Sequence, residues 1–424
     1  MNGRLIRLFV LLLAAGVTLA VNCQKKESVD KITTYGRYWS GIHEFMKVIA
    51  LPEFKKNTGY DVDMVIYNNT IETLDRVEME TTNDDLTADF IWIDFMDILT
   101  YRKRDLLMDI SDIVSPFANQ IPDRMLDPCR DDEGRIFAAP HIVSIDLMMY
   151  NERHITPDEL PNSYEELLEW CKKNPDRYSY RGSGEHLTTS MMNFFYAFGA
   201  LEVGQDLSQF FNPDVNPKIV DVFEYLIELN KYTKKPLYTD YGTMDLEMAN
   251  ELLWLYSLWD DHVAKIRHNK NAPYVRLHPN YNLTGPTGKK AICLGGWMFA
   301  IPKNAANPKV GKKFISWMMS QEMQIRSVGD SSRVYCGHIP ARIDATENLP
   351  NYIKNRFDVT DVASLRDNAF QSLVIRPTWV DYYFDLSTFI ERAHNEIVVQ
   401  GKPVGTVLKN VQTELDMFVA ASSY

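Results

Sequence analysis

Positive charge is in short supply in this chain. Its 424 residues carry 45 Lys and Arg against 57 Asp and Glu, a formal charge of −12. Nucleic-acid binding needs a Lys/Arg surplus, so the chain as a whole has no nucleic-acid partner. Cysteine is scarce as well: five in all, none at C-x-x-C spacing and none beside a histidine cluster, which excludes the common structural zinc sites. Glycine and proline stand at 20 each, too few for a collagen-like or linker-dominated chain. No apolar run reaches the ~20 residues that cross a bilayer as a helix. What is present is a 45% hydrophobic, 24% charged and 12% aromatic composition, that of a folded chain. The length exceeds one ordinary core and predicts two domains or one two-lobed body.

The first residues read as an address. Arg4 and Arg7 are followed by an uncharged, largely apolar stretch over 8–20, the layout of a secretory signal covering residues 1–22. Leu19-Ala20-Val21-Asn22-Cys23 resembles a bacterial lipoprotein cleavage box, with Cys23 as the lipid-bearing terminus and 23–30 as a tether. Ordinary cleavage after Ala20 is the alternative. Losing Arg4 and Arg7 takes the charge from −12 to −14. Cys129, Cys171, Cys293 and Cys336 remain; export permits disulfides, and buried free thiols fit equally well.

Along the body, residues 32–38, 61–66 and 90–93 read as strands, and 42–57 and 71–81 as helices, with Gly59 as a left-handed stop. Strand and helix in alternation predict βαβ units and a mainly parallel sheet. Residues 135–139 and 147–150 read as two short strands broken by Pro140. Ser163 with Glu166 reads as a capping box opening a helix. Helix is expected over most of 191–232, over 246–258 and 310–324, and twice between 383 and 418. The apolar run 291–301 reads as two strands meeting at Gly295-Gly296.

Searches for reaction chemistry fail. Gly285-Pro286-Thr287-Gly288-Lys289-Lys290 has Leu283 and Lys290 where a phosphate loop needs glycine and a hydroxyl. Gly182-Ser183-Gly184 lacks the nucleophile elbow, His43-Glu44 lacks the second zincin histidine, and the nine histidines fall at no metal-ligand spacing. Acid pairs such as Asp260-Asp261 are expected among 57 acids. The sequence therefore points to no catalytic residue, metal or cofactor. Trp39, Trp92, Trp259, Trp297, Trp379 and Tyr382-Tyr383 lie by expected strand ends and helix starts, where aromatic faces suit the apolar face of a pyranose ring.

Several segments together resemble the family 1 extracellular solute-binding proteins of bacterial ABC importers, the maltose-binding-protein-like group. They are Leu51-Pro52-Glu53-Phe54, Thr58-Gly59-Tyr60-Asp61-Val62, Ala88-Asp89-Phe90-Ile91-Trp92-Ile93-Asp94, Gly134-Arg135-Ile136-Phe137-Ala138-Ala139-Pro140 and Met149-Tyr150-Asn151. Pro161 to Leu168, Gly295-Gly296-Trp297 with Ala300-Ile301-Pro302, and Gly337-x-Ile339-Pro340-Ala341-Arg342 complete the set, in the family's order. The resemblance implies an α/β, two-lobed type II periplasmic-binding-protein fold, each lobe a mixed sheet flanked by helices. The lobes would be 31–143 plus 297–338 and 144–296 plus 339–424, hinged at Gly295-Gly296 and 140–145.

The resemblance also implies a cleft between the lobes. Trp39, Ser40, Glu44, Asn68, Asp94, Ser144, Trp259, Asp260, Trp297 and Tyr383 would face it. The acids would accept sugar hydroxyls and the aromatics would stack; Arg333, Arg342 or Arg376 could receive an anionic group. The function implied is a monomeric, non-enzymatic receptor at the outer face of a bacterial membrane. It would be lipid-anchored and would hand a small solute, a sugar above all, to the membrane subunits of an ABC permease. An exported carbohydrate-active enzyme and a chemosensory sugar receptor are the alternatives.

Overall fold

The computed structural model describes residues 30–237, 241–358 and 362–422; the signal, Cys23 and the tether through residue 29 lie outside them. Strand β1 (Lys31–Arg37) pairs in parallel with β2 (Asp61–Tyr67) and β3 (Phe90–Asp94), with Lys31 opposite Asp61 and Thr34 opposite Phe90. The connecting helices run right where the periodicity placed them. Ser40–Phe45 continues through a π turn, Met46–Ala50, into Leu51–Thr58, and Gly59 ends it at φ 82°. The π turn precedes Pro52, whose ring and missing N–H disturb the helical ladder one turn back. Thr70–Thr82 is capped by Asn69, whose side chain accepts from the Glu72 N–H.

The sheet is mixed, and the next strands depart from expectation. β4 (Ala138–Asn151) is one strand of 14 residues, every one buried, in place of two short ones. Pro140 does not break it, because the register against its neighbour shifts between Pro140 and Ile142, a bulge that absorbs the missing donor. β5 (Tyr178–Ser179) is short, and residues 246–258 are no single helix: Tyr241–Ala249 is helical and Leu255–Trp259 is strand β6. Glu251 stands between them at φ 63°, which ends the helix. The Leu/Trp/Tyr-rich run there suits a buried helix or a buried strand equally, and only pairing with β4 decides.

β7 (Val275–Leu277) also pairs with β4, and β8 (Ile292–Ala300) is a single buried strand rather than two. Its Gly295-Gly296 allows close approach: a Cβ on Gly296 would stand 2.6 Å from the Ile142 carbonyl oxygen. β9 (Ile339–Pro340) lies against β4, and β10 (Leu373–Ile375) lies parallel to β8. The order β2-β1-β3-β8-β4-β6-β5 makes β4 and β8 the two long strands shared by everything else. One hydrophobic core packs around β1, β2, β3 and β8. A second gathers the helices Tyr164–Lys173, Gly184–Phe198, Lys218–Asn230, Tyr383–His394 and Val404–Ser422.

Smaller departures have local causes. Residues 310–324 divide into Pro308–Met318 and Gln321–Val328, because Ser320 caps a fresh helix by accepting from the Met323 N–H. The Ser163 hydroxyl accepts from the Glu166 N–H at 3.1 Å as expected, but Glu166 returns the bond to the Asn162 N–H. Cys129, Cys171, Cys293 and Cys336 are all free and buried, and burial pushes their thiols above the ordinary range. A reductant is therefore expected to leave the melting temperature unchanged. A lost disulfide would instead cost about 2–5 kcal/mol and lower it.

Candidate functional site

The strand ends converge. Arg37 ends β1 and Trp39 follows it, Asp94 ends β3, Trp259 ends β6 and Arg376 follows β10, while Ser144 and Gly295-Gly296-Trp297 sit midway along β4 and β8. Ligands in open α/β sheets bind beyond such strand ends. Two adjoining chambers open there. The inner one, about 50 Å³, is lined by Trp39, Ser144, Trp259 and Trp297, with Tyr241, Asp261, His262 and His338. The outer one, about 400 Å³, adds Tyr38, Asn68, Met96, Asp97 and Phe384. Arg37, Asp94, Glu185, His186 and Arg376 line both and form the neck between them.

Aromatics make one wall. The rings of Trp39 and Trp297 stack at 5.6 Å and 9°, and His338 lies 5.1 Å from Trp39. The Trp259 indole donates to the Tyr241 hydroxyl at 3.2 Å, and the guanidinium groups of Arg181 and Arg376 each lie 5.6 Å from its ring centre. Charges make the other wall. Arg376, 1% exposed, donates to Asp94 Oδ1 at 3.0 Å and to Glu185 Oε1. Burial pushes the Glu185 carboxyl up, but Arg376, assisted by Arg37, more than offsets this and holds it below its ordinary value. Burial and the Asp94 charge push the Asp97 carboxyl up, against the pull of Arg37 and Arg376. Burial lowers His186 to about 4, leaving a neutral imidazole whose Nδ1 meets the Tyr241 hydroxyl.

Of the residues expected at the cleft, Trp39, Asp94, Ser144, Trp259 and Trp297 line the inner chamber, and Asn68 lines the outer. The other four do not. Ser40 and Glu44, one helical turn apart, lie on the outer face of their helix while Gly41, Ile42 and Phe45 turn inward, and Glu44 pairs with Arg333 at the surface. Asp260 is fully buried behind the chamber. It accepts from the backbone N–H groups of Ile145 (3.1 Å) and Ile339 (3.1 Å), and its Oδ1 lies 2.7 Å from His338 Nδ1. The lining residue is its neighbour Asp261, since one residue in a helical first turn rotates the side chain by roughly 100°. Tyr383 is buried and donates to Glu185 Oε1 at 3.0 Å.

Arg342 is likewise engaged, by Asp344 and the Met319 carbonyl. The residues that sequence reading passed over are Arg37, Glu185, His186, Tyr241, Asp261, His262 and His338. Arg37 carried a signal, standing two residues before Trp39 at the strand end. His338 is the variable position inside Gly337-x-Ile339-Pro340. Glu185 and His186 had none, because the helix that carries them reaches the neck only through tertiary packing.

Asp260, Asp261 and His338 are close enough together to surround a cation. Their donor set argues otherwise: both Asp260 oxygens already accept hydrogen bonds, and Asp261 Oδ2 is held by Lys265. His338 Nε2 also lies 3.3 Å from the Ser144 hydroxyl, so Ser144, His338 and Asp260 stand in the order of an acyl-transfer triad. Asp261 Oδ1, however, lies 3.6 Å from that same Nε2 and is buried without a hydrogen-bond partner. Asp260 at Nδ1 and the Ser144 hydroxyl at Nε2 fix the orientation of the imidazole in the chamber wall.

A family model described as "Bacterial extracellular solute-binding protein" matches residues 50–348. A comparison with curated proteins finds no sequence match. Among solved structures, the maltose-bound MalE3 of T. maritima is similar with a TM-score of 0.76 at 19% identity, over 92% of this chain and 99% of the other. An ABC transporter solute-binding protein of Thermotoga lettingae bound with α-D-tagatose gives 0.74 at 18% identity, over 92% and 99%. The Thermus thermophilus maltotriose-binding protein with maltotriose gives 0.72 at 14% identity, over 92% and 100%. The expected α/β type II binding-protein fold is thus the fold of this chain, and among the described residues no helix is long and apolar enough to cross a membrane. With the family model covering most of the body, the chain belongs to the bacterial extracellular solute-binding proteins.

Proposed function

We propose that the protein captures a sugar or short oligosaccharide in the two chambers and delivers it, unaltered, to the membrane subunits of an ABC permease. The observation that carries this reading is the pairing of an aromatic wall (Trp39, Trp297, Trp259) with a fixed polar one (Asp94, Glu185, Arg376) at the strand ends. Ring faces take the apolar side of a pyranose and the polar row takes its hydroxyls. The similar structures with bound maltose, tagatose, ribitol or mannitol support it. On this reading the protein is a monomer held to the membrane through Cys23. Its lobes are 31–143 plus 297–338 and 144–296 plus 339–424, turning about β4 and β8.

The test is a melting-temperature screen against sugars and sugar alcohols, with the ligand recovered and checked for cleavage. A ligand at a hundred times its dissociation constant adds ~2.7 kcal/mol to the folded state. Trp259→Ala is expected to weaken the hit about 30-fold, the loss of one buried aromatic contact. A cleaved ligand would transfer the protein to the hydrolases, and no hit with any sugar would overturn the carbohydrate reading.

A further inference from the structure

The cations around the two chambers are not equivalent. Arg376 is committed to Asp94 and Glu185, and Arg181, behind Trp259, is committed to Asp146. Arg37 is different. It is half-buried at the neck, its guanidinium lies 5.5 Å from the Trp297 ring centre, and it has neither a hydrogen bond nor an ion pair with any described residue. A guanidinium carries five donors in a planar fork, and a carboxylate fills that fork with two parallel bonds. The nearby acids do not fill it, since Asp94 and Glu185 already accept from Arg376. Nor does Asp97, whose Oδ1 is buried without a hydrogen-bond partner.

The two chambers locate the missing partner. The inner one, about 50 Å³, carries the three tryptophans against which a sugar face stacks on the reading above, and the outer one, about 400 Å³, is within the range of small-ligand pockets. Arg37 lines both, so a substituent of a ligand that spans them passes beside its guanidinium. We propose, building on the carbohydrate reading above, that the ligand is an acidic sugar of the uronic-acid class whose carboxylate is bound by Arg37. An unbonded arginine beside the Trp297 ring, where the two chambers share their lining, would thus set specificity for sugar acids over their neutral counterparts.

The experiment titrates the protein calorimetrically with matched pairs, D-galacturonate against D-galactose, D-glucuronate against D-glucose, and digalacturonate against galactobiose. At least one acid is expected to bind about 10–100-fold more tightly than its neutral partner, the range of a charge-assisted pair. Arg37→Gln is expected to abolish that preference, and Arg37→Lys to keep part of it. Unliganded melting should shift little in either, because Arg37 makes no hydrogen bond or ion pair and its loss removes only the contact with the Trp297 ring and its pull on Glu185. Neutral sugars that bind as tightly as their acids in every pair overturn this inference and leave the carbohydrate reading standing, as does a preference that survives in Arg37→Gln. Failure of every sugar in the broader screen, acids and neutrals alike, overturns both.

Discussion

Asp146→Ala is expected to lower the melting temperature by roughly 6–10 °C, the largest effect of any single change considered. Asp146 lies on β4 with no exposed surface, and its partner Arg181 is 1% exposed. Asp146 accepts from Arg181 through one oxygen and from the Ser257 hydroxyl through the other, while Arg181 Nε donates to Ser190 at 2.8 Å. Removing the carboxylate strands a buried guanidinium that already has one unpartnered nitrogen. Breaking such a pair costs about 3–5 kcal/mol, and a body this large loses ~2 °C per kcal/mol. Replacing both partners together, Asp146→Leu with Arg181→Met, should recover much of the loss, because an apolar pair leaves no charge behind. A single variant that melts with the parent would show that water reaches the pair.

Arg376→Met is expected to abolish ligand binding and to make stability strongly pH-dependent. Asp94 and Glu185, side chains 14% and 28% exposed, then lose the guanidinium that bonds both and keep only the unbonded Arg37 nearby. In the parent the Glu185 carboxyl titrates below its ordinary value of 4.5. A depressed carboxyl stabilises above the unfolded pKa, and that contribution is lost as pH falls through the folded one. In the variant, burial with no bonded guanidinium raises it above 4.5, so stability falls as pH rises through the raised value. The two proteins should therefore unfold alike near pH 4 and diverge toward pH 8. There the variant should be about 2–4 kcal/mol weaker, partial exposure screening the rest. Urea unfolding at both values decides it; a constant difference across the range would show that the arginine acts through packing alone.

Much of the fold was legible because it is written locally. The first three strands alternate or run apolar at the right period, Gly59 marks a helix end, and Ser163 with Glu166 marks a helix start. Trp297 and Asp94 were legible for the same reason, as residues beside recognisable strands. What failed were segments whose local preference is neutral. Pro140 looked like a break until a bulge in β4 absorbed it, and 255–259 looked helical until β4 offered it a partner. Gly295-Gly296 looked like the meeting of two strands, and β8 runs through it unbroken.

The sequence by itself determined an acidic, exported-looking α/β chain in which no reaction motif is complete. Pattern, capping and charge balance depend only on neighbours along the chain. Tertiary structure alone decided which side chains meet: Arg376 reaches Glu185 across 191 residues and Asp94 across 282, and Asp261 displaces Asp260 from the wall. The reason is geometric. A one-residue shift at a helix start turns a side chain from chamber to core, and only the packed sheet fixes that rotation. The unpaired guanidinium of Arg37 follows from the same fact, since a charge is free or satisfied only once every neighbour is in place.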